Sequence, residues 1–164
     1  MYLGIVSRLD APVTGVVLLA RTSKAAGRLS EQFRERDVEK SYGAIVEGRI
    51  EPREGRLVDF VRKDERHRRM HIAAQQAPGA QSAELTYRAI GDGSDSVRLL
   101  DGRSFSLLQV RLLTGRKHQI RVQFEHHQHP IVGDVKYGSR DELAVGIALH
   151  ARRLVVDHPT QHTP

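Results

Sequence analysis

The chain has no cysteine and no tryptophan, two methionines, and only 5% aromatic residues. Without cysteine there is neither a disulfide framework nor a thiolate metal site, and a reducing, cytoplasmic setting fits. No uninterrupted apolar run approaches the ~18 residues that span a bilayer, so no membrane partner is expected. The N-terminus lacks the basic-then-apolar order of a secretory signal. Charge is what the chain does have. Lys and Arg number 26 against 20 Asp and Glu, a formal charge of +6 with nine histidines counted neutral. Arginine outnumbers lysine, which suits forked contacts to phosphate. Such a balance speaks to partners rather than to fold, and it points to a polyanion.

At 164 residues the chain is long enough for one domain with a real core. Residues 2–7 and 13–20 have strand character, rich in Val, Ile and Leu. Thr22 or Ser23 caps an expected helix running to about Arg36, with Ala25, Leu29 and Phe33 on one face and Gly27 as a weak point. Strands are expected at 41–48, 83–90, 96–100, 104–113 and 147–156, with a hairpin joining 55–61 to 68–73. GDGSD and DGRS supply the turn chemistry between the middle strands. Segment 117–127 is ambiguous, because Ile120, Val122 and Phe124 alternate as in a strand while Ile120 and Phe124 also fit a helix. Many strands, few helices and no regular βαβ alternation predict an α+β domain with a mainly antiparallel sheet.

The residues that bear chemistry stand at the ends of these apolar segments. In VSRLDAPVTG (6–15), Arg8 and Asp10 interrupt two apolar runs, and an extended chain would point both side chains the same way. They read either as an ion pair in a turn or as a carboxylate presented to a substrate. Tyr42 follows Lys40 at the start of a strand. LLTGRKHQIR (112–121) brings Gly115 and a run of polar groups, Arg116, His118, Gln119 and Arg121 among them, which alone would read as a solvated basic face. HPIVGDVKYG (129–138) is turn-rich, and Asp134 there is a rival carboxylate for which turn capping is the expected role. RKDERHRR (62–69) sets five basic residues against two acids at a hairpin tip. Adjacent histidines in HHQH (126–129) point apart on a helix or a strand, so no metal site is expected from them.

Taken in order, these segments resemble the RluA-type pseudouridine synthases. VSRLDAPVTGVVLLART is similar to that family's first motif, with Ser7 where histidine is usual and Val13–Thr14 in place of Thr–Ser. KSYGAIVEG resembles its Lys-x-Tyr strand, LLTGRKHQIRVQF its third motif, and HPIVGDVKYG and LHARRLVV the segments that follow. The resemblance implies a bent, mainly antiparallel sheet with a few flanking helices. It also implies a single catalytic domain over 1–164, short at its ends and without a separate RNA-binding module.

The implied activity is cleavage of the N-glycosidic bond of a uridine in ribosomal or transfer RNA, rotation of the uracil and rejoining through carbon five, with no cofactor or metal. The resemblance makes Asp10 the catalytic carboxylate, Arg121 its cationic partner, and Tyr42 a stacking surface and proton acceptor. Extracting the base costs a few kcal/mol, of which stacking on one ring returns ~1–3. Arg8 is therefore the candidate to fill the vacated space. Arg116, His118 and Gln119 are expected at the substrate, and Arg62, Arg68 and Arg69 at backbone phosphates. A monomer is expected. The competing reading is a non-catalytic RNA-binding domain on the same fold, which would have no need of Asp10, Tyr42 and Arg121 together.

Overall fold

Side chains of residues 104–112 alternate across a sheet, and the computed structural model, which describes residues 2–91, 97–98 and 103–161, uses that alternation as its spine. Leu108, Val110 and Leu112 turn inward and are buried, while Leu107, Gln109 and Arg111 face outward. The elements run β1 (Gly4–Ile5), β2 (Thr14–Gly15), β3 (Leu19–Ala20), α1 (Ser23–Glu35), β4 (Glu39–Glu47), β5 (Glu54–Asp64) and β6 (Arg69–Ile72). β7 (Gln81–Ala89), β8 (Val97–Arg98), β9 (Ser104–Leu112), α2 (Gln119–His126), a 3-10 turn (Val135–Tyr137) and β10 (Leu149–Val155) follow.

The main sheet has the order β2-β10-β4-β9-β7-β5-β6, with β8 pairing the start of β9. Its pairs are antiparallel except β2 on β10. The expected α+β class and antiparallel sheet are what the chain builds. One face is covered. Ala44 and Val46 of β4, Leu85 and Tyr87 of β7, and Leu108 and Val110 of β9 pack against Ile120 and Phe124 of α2 and against Ile131. The other face leaves Ile45, Val58 and Leu107 exposed, which an antiparallel sheet tolerates.

The ambiguous segment 117–127 is a helix. Its strand-like alternation arises because α2 is buried on more than one side: Ile120 and Phe124 enter the main core, whereas Val122 enters a second cluster with Val61, Met70, Ala83 and Tyr137. Two apolar faces on one helix produce a run that mimics period two. Helix α1 begins as expected, with Thr22 Oγ1 accepting from the Ala25 amide, and ends at Arg36 in the left-handed region.

The expected strands at 2–7 and 13–20 shrink to two-residue pieces. The amides of Val6 and Ser7 both reach the carbonyl of Leu18, and the chain then turns through Asp10–Val13 rather than extending. Most of their apolar residues are not core: Ile5, Val16, Val17 and Leu19 are exposed, while Ala20 is buried and Val13 packs against the main cluster. Of the strand expected at 96–100, Val97–Arg98 pairs with β9. The rest of it, with the turns at 92–95 and 101–102, lies outside the described residues. Gly15 is required where it stands, since a Cβ there would strike the backbone of Ala151, against which β2 is laid, and its φ is +124°.

Candidate active site

A cleft of about 650 Å³ opens between the 6–13 loop, the start of β4, residues 115–121 and β10. That is an ordinary size for a small-molecule site. Asp10, Tyr42 and Arg121 all line it, with Arg8, Arg116, His118 and Gln119. A second depression, about 570 Å³, lies over the open face of the sheet between Arg56, Arg88 and Arg111. It holds none of these groups, so the chemistry belongs to the first.

The turn that carries Asp10 is made by backbone. The Val13 amide donates to the Asp10 carbonyl at 2.9 Å, and the Pro12 carbonyl accepts from Ile147 at 3.0 Å. Ser7 Oγ accepts from the Leu18 amide at 2.8 Å and fastens the entry to the turn. The carboxylate is therefore spared from turn-making and faces the cleft. Its Oδ2 lies 3.3 Å from Nη1 of Arg121, and its Oδ1 lies 3.8 Å from Nε2 of His118, beyond hydrogen-bond reach. Chain positions 111 apart are thus brought together by α2 and the 6–13 loop.

Arg121 does not belong to a solvated face: it is 4% exposed. Asp134 grips it from the side, with Nε to Oδ2 at 2.6 Å and Nη2 to Oδ1 at 2.9 Å, and the guanidinium carbon stands 4.8 Å from the Tyr137 ring centre. Burial opposes its charge. The hydrogen bonds and charge of Asp134, with a smaller part from Asp10, outweigh that and hold the guanidinium above its ordinary value. This corrects the capping role expected of Asp134, whose side chain makes no cap bond to the 3-10 turn it precedes. Asp134 is itself 1% exposed, and a fully buried carboxylate needs a partner more than a turn needs a cap. Asp134 stands just before the 3-10 turn and Tyr137 closes it three positions on, and both meet the Arg121 guanidinium. That spacing within GDVKY is the signal that was available.

The other expected residues divide. Tyr42 is half-buried, and burial followed by the charge of Asp10 raises its phenol above the ordinary value. His118 sits in the left-handed region at φ 51° and places Nδ1 2.7 Å from the Tyr137 hydroxyl. Gln119 lines the cleft, but both ends of its amide are engaged inside the protein. Its Oε1 accepts from Thr114 and from the Arg116 amide, and its Nε2 donates to the Glu84 carbonyl and to Gln123. Arg116 donates from Nε to the Ser82 carbonyl and keeps its remaining nitrogens at the rim.

Lys40 also lines the cleft, two residues before Tyr42, its pKa lowered by burial and then by Arg36. Arg62, Arg68 and Arg69 do not reach the cleft; they stand on the β5–β6 hairpin. That hairpin is tied to the site through Met70, whose amide donates to the Tyr137 hydroxyl, and through Lys136, which donates to the Arg68 carbonyl. His127 faces Asp59 at 3.3 Å and His129 meets the Glu47 carbonyl at 2.9 Å, while the adjacent rings of His126 and His127, expected to point apart, meet edge to face with centres 5.2 Å apart. Among the described residues no three His, Cys, Asp or Glu side chains gather as metal ligands, and no helix is long and apolar enough to cross a membrane.

Residues 1–126 match the family described as RNA pseudouridylate synthase. The chain is 34% identical over 169 residues to tRNA pseudouridine synthase C of Vibrio cholerae, covering 96% of this chain and 68% of that protein. It is 32% identical over 171 residues to the enzyme of the same name from Pectobacterium carotovorum, covering 97% of this chain and 44% of that one. The chain thus spans roughly half to two thirds of the length of these relatives. Human RNA pseudouridylate synthase domain containing 1 superposes with a TM-score of 0.85 at 26% identity, over 99% of this chain and 69% of the human one.

Proposed function

Because the chain belongs to the RNA pseudouridylate synthase family, we propose that its cleft isomerises a uridine of an RNA to pseudouridine, with Asp10 as the carboxylate that works at the sugar. The observation that carries this is the joint placement of Asp10, Tyr42 and Arg121 on one cleft, with a buried cation facing the carboxylate. A carboxylate acting at an anomeric carbon must be ionised in a site dry enough for its charge to count. Arg121 supplies the opposite charge that offsets desolvation.

The reaction divides among the residues at hand. A uridine leaves its stack and enters the cleft, where the ring of Tyr42 lies against the base. Arg8, exposed at the rim, takes the space the base has left. Asp10 acts at the sugar as its bond to the uracil nitrogen breaks, the uracil turns, carbon five bonds to the sugar and gives up its proton to water, and the freed nitrogen takes one from water. No metal or cofactor enters these steps. Arg116 and the β5–β6 hairpin, with Arg62, Arg68 and Arg69, hold phosphates and set the register of the RNA without reading its sequence. Gln119 serves by fixing the 114–123 segment rather than by touching substrate. The relatives named for tRNA favour transfer over ribosomal RNA, and a cytoplasmic monomer is the working form.

Release of tritium from carbon-five-labelled uridine, measured separately in transfer and ribosomal RNA transcripts, tests this reading. Release from transfer RNA is expected. Binding of both RNAs with release from neither would favour the non-catalytic domain.

A further inference from the structure

Arg121 has three nitrogens and two carboxylates within reach, and it divides them unequally. Asp134 takes Nε and one N–H of Nη2 in a fork at 2.6 and 2.9 Å, and at the end of the guanidinium only Nη1 reaches Asp10, at 3.3 Å. A guanidinium free to choose forks a carboxylate with two parallel bonds. Were Arg121 turned so that its end-on pair, Nη1 and Nη2, met Asp10 squarely, both carboxylate oxygens would be engaged. Asp134, with Tyr137 stacked against the guanidinium, prevents that rotation. Oδ1 of Asp10, 3.8 Å from His118, is consequently left without a hydrogen-bonded partner on the side that faces the cleft.

We propose that Asp134 is the positioning residue of this site: by fixing the orientation of Arg121 it holds Asp10 to one contact and keeps Oδ1 open for the substrate's sugar. This rests on the functional reading above, and it assigns Asp134 no contact with substrate. A capping role leaves the fork unexplained, because the carboxylate makes no cap bond. A purely structural ion pair leaves the third nitrogen unexplained, because nothing in a pair requires Nη1 to point at a second acid.

The two roles separate in the pH profile of turnover. The charged and titratable groups around Asp10 are Arg121 and His118 from the α2 segment, Asp134, Lys136 and Tyr137 from the 3-10 turn, and Lys117 beside His118. Lys40 and Tyr42 from β4, Arg116 beside Gly115, Arg153 from β10 and Arg8 from the Asp10 loop complete the set. In Asp134→Asn one negative charge leaves this set and Arg121 is freed to fork Asp10. Both changes favour the ionised carboxylate, so the acid limb of the profile moves to lower pH. The same variant loses kcat on the order of 10²-fold, as expected for a misplaced catalytic group, with KM unchanged. Arg121→Met removes the cation, and its acid limb moves the opposite way. If Asp134 mattered only for keeping Arg121 folded in place, Asp134→Asn would instead shift the limb upward as Arg121→Met does, or not at all.

The experiment is tritium release across a pH series for the wild type, Asp134→Asn, Arg121→Met and the double variant. Downward displacement in Asp134→Asn, and a double variant no slower than Arg121→Met alone, support the proposal. The double variant serves even if Asp134→Asn alone fails to fold, since it buries no unpaired guanidinium. An upward or unmoved limb in Asp134→Asn, or a further loss of kcat in the double variant, overturns the positioning role while wild-type activity leaves the functional reading intact. A wild type that releases no tritium overturns both.

Discussion

The hydroxyl of Tyr137 lies 2.7 Å from Nδ1 of His118 and accepts the amide proton of Met70 at 2.9 Å. A phenol has one proton to give, and Tyr137 is 1% exposed, so that proton goes to His118. His118 then carries its own proton on Nε2, directed towards Asp10. Burial, opposed by Asp10, lowers the imidazole from its ordinary 6.5. The folded state therefore resists this proton more than the unfolded chain does. The stability linked to it is complete above pH 6.5 and declines as pH falls below that value. Nitrogen-15 NMR should find His118 neutral at pH 7 with Nε2 protonated, and Tyr137→Phe should let the other tautomer appear. A charged ring at pH 7 would contradict the arrangement.

Removing the buried cation should be costly to the fold as well as to turnover. Arg121→Met leaves Asp134 buried without its partner, and breaking such a pair typically costs about 3–5 kcal/mol. Urea denaturation at neutral pH should show a loss of that order, and a loss under about 1 kcal/mol would mean the pair is better solvated than its burial implies.

Gln119 separates support from binding. Gln119→Met strands the Arg116 amide and Oε1 of the buried Gln123, each donor or acceptor costing about 1–3 kcal/mol if left unmet, while the Thr114 hydroxyl and the Glu84 carbonyl keep their other partners. The midpoint of thermal unfolding should fall while RNA affinity at low temperature is kept. Weaker binding with unchanged stability would return Gln119 to the substrate.

The β5–β6 hairpin should govern salt dependence. If roughly six phosphates are contacted, log affinity against log salt has a slope near −4 on single-stranded RNA. Neutralising Arg62, Lys63, Arg66, Arg68 and Arg69 together should flatten it and leave turnover of bound RNA unchanged. A slope that stays steep would move the phosphate contacts elsewhere, Arg116 being the first alternative. The tip is pre-shaped for such contacts: the backbone amide and then the side chain of His67 hold the Asp64 carboxyl down to about 2, so the turn persists through ordinary assay pH.

What the sequence revealed depended on how local the cause was. β9 could be read from its own alternation, and α1 from Thr22 and its spaced apolar residues, because each obeys the rule of its own element. α2 could not, since a helix buried against two clusters loses the single stripe that identifies it. The strands around Asp10 are shorter than their composition predicts because Val16, Val17 and Leu19 are apolar without being core. Asp10 and Arg121 were joined by resemblance alone, as no local rule links residues 111 apart. The role of Asp134 is hidden for a related reason: a Gly-Asp pair satisfies turn chemistry locally, and only the folded chain brings Arg121 to it from 13 residues upstream.

The most direct test of the account is turnover by Asp10→Asn. The amide keeps the size of the side chain and still accepts hydrogen bonds, but it has no charge to bring to the sugar. Because the turn is held by the Asp10 carbonyl and not by the carboxylate, the fold should survive the change, as circular dichroism would verify. Tritium release from carbon-five-labelled uridine RNA should vanish at every pH tested while RNA binding persists. Release at the wild-type rate by well-folded Asp10→Asn would contradict the central role given to this carboxylate.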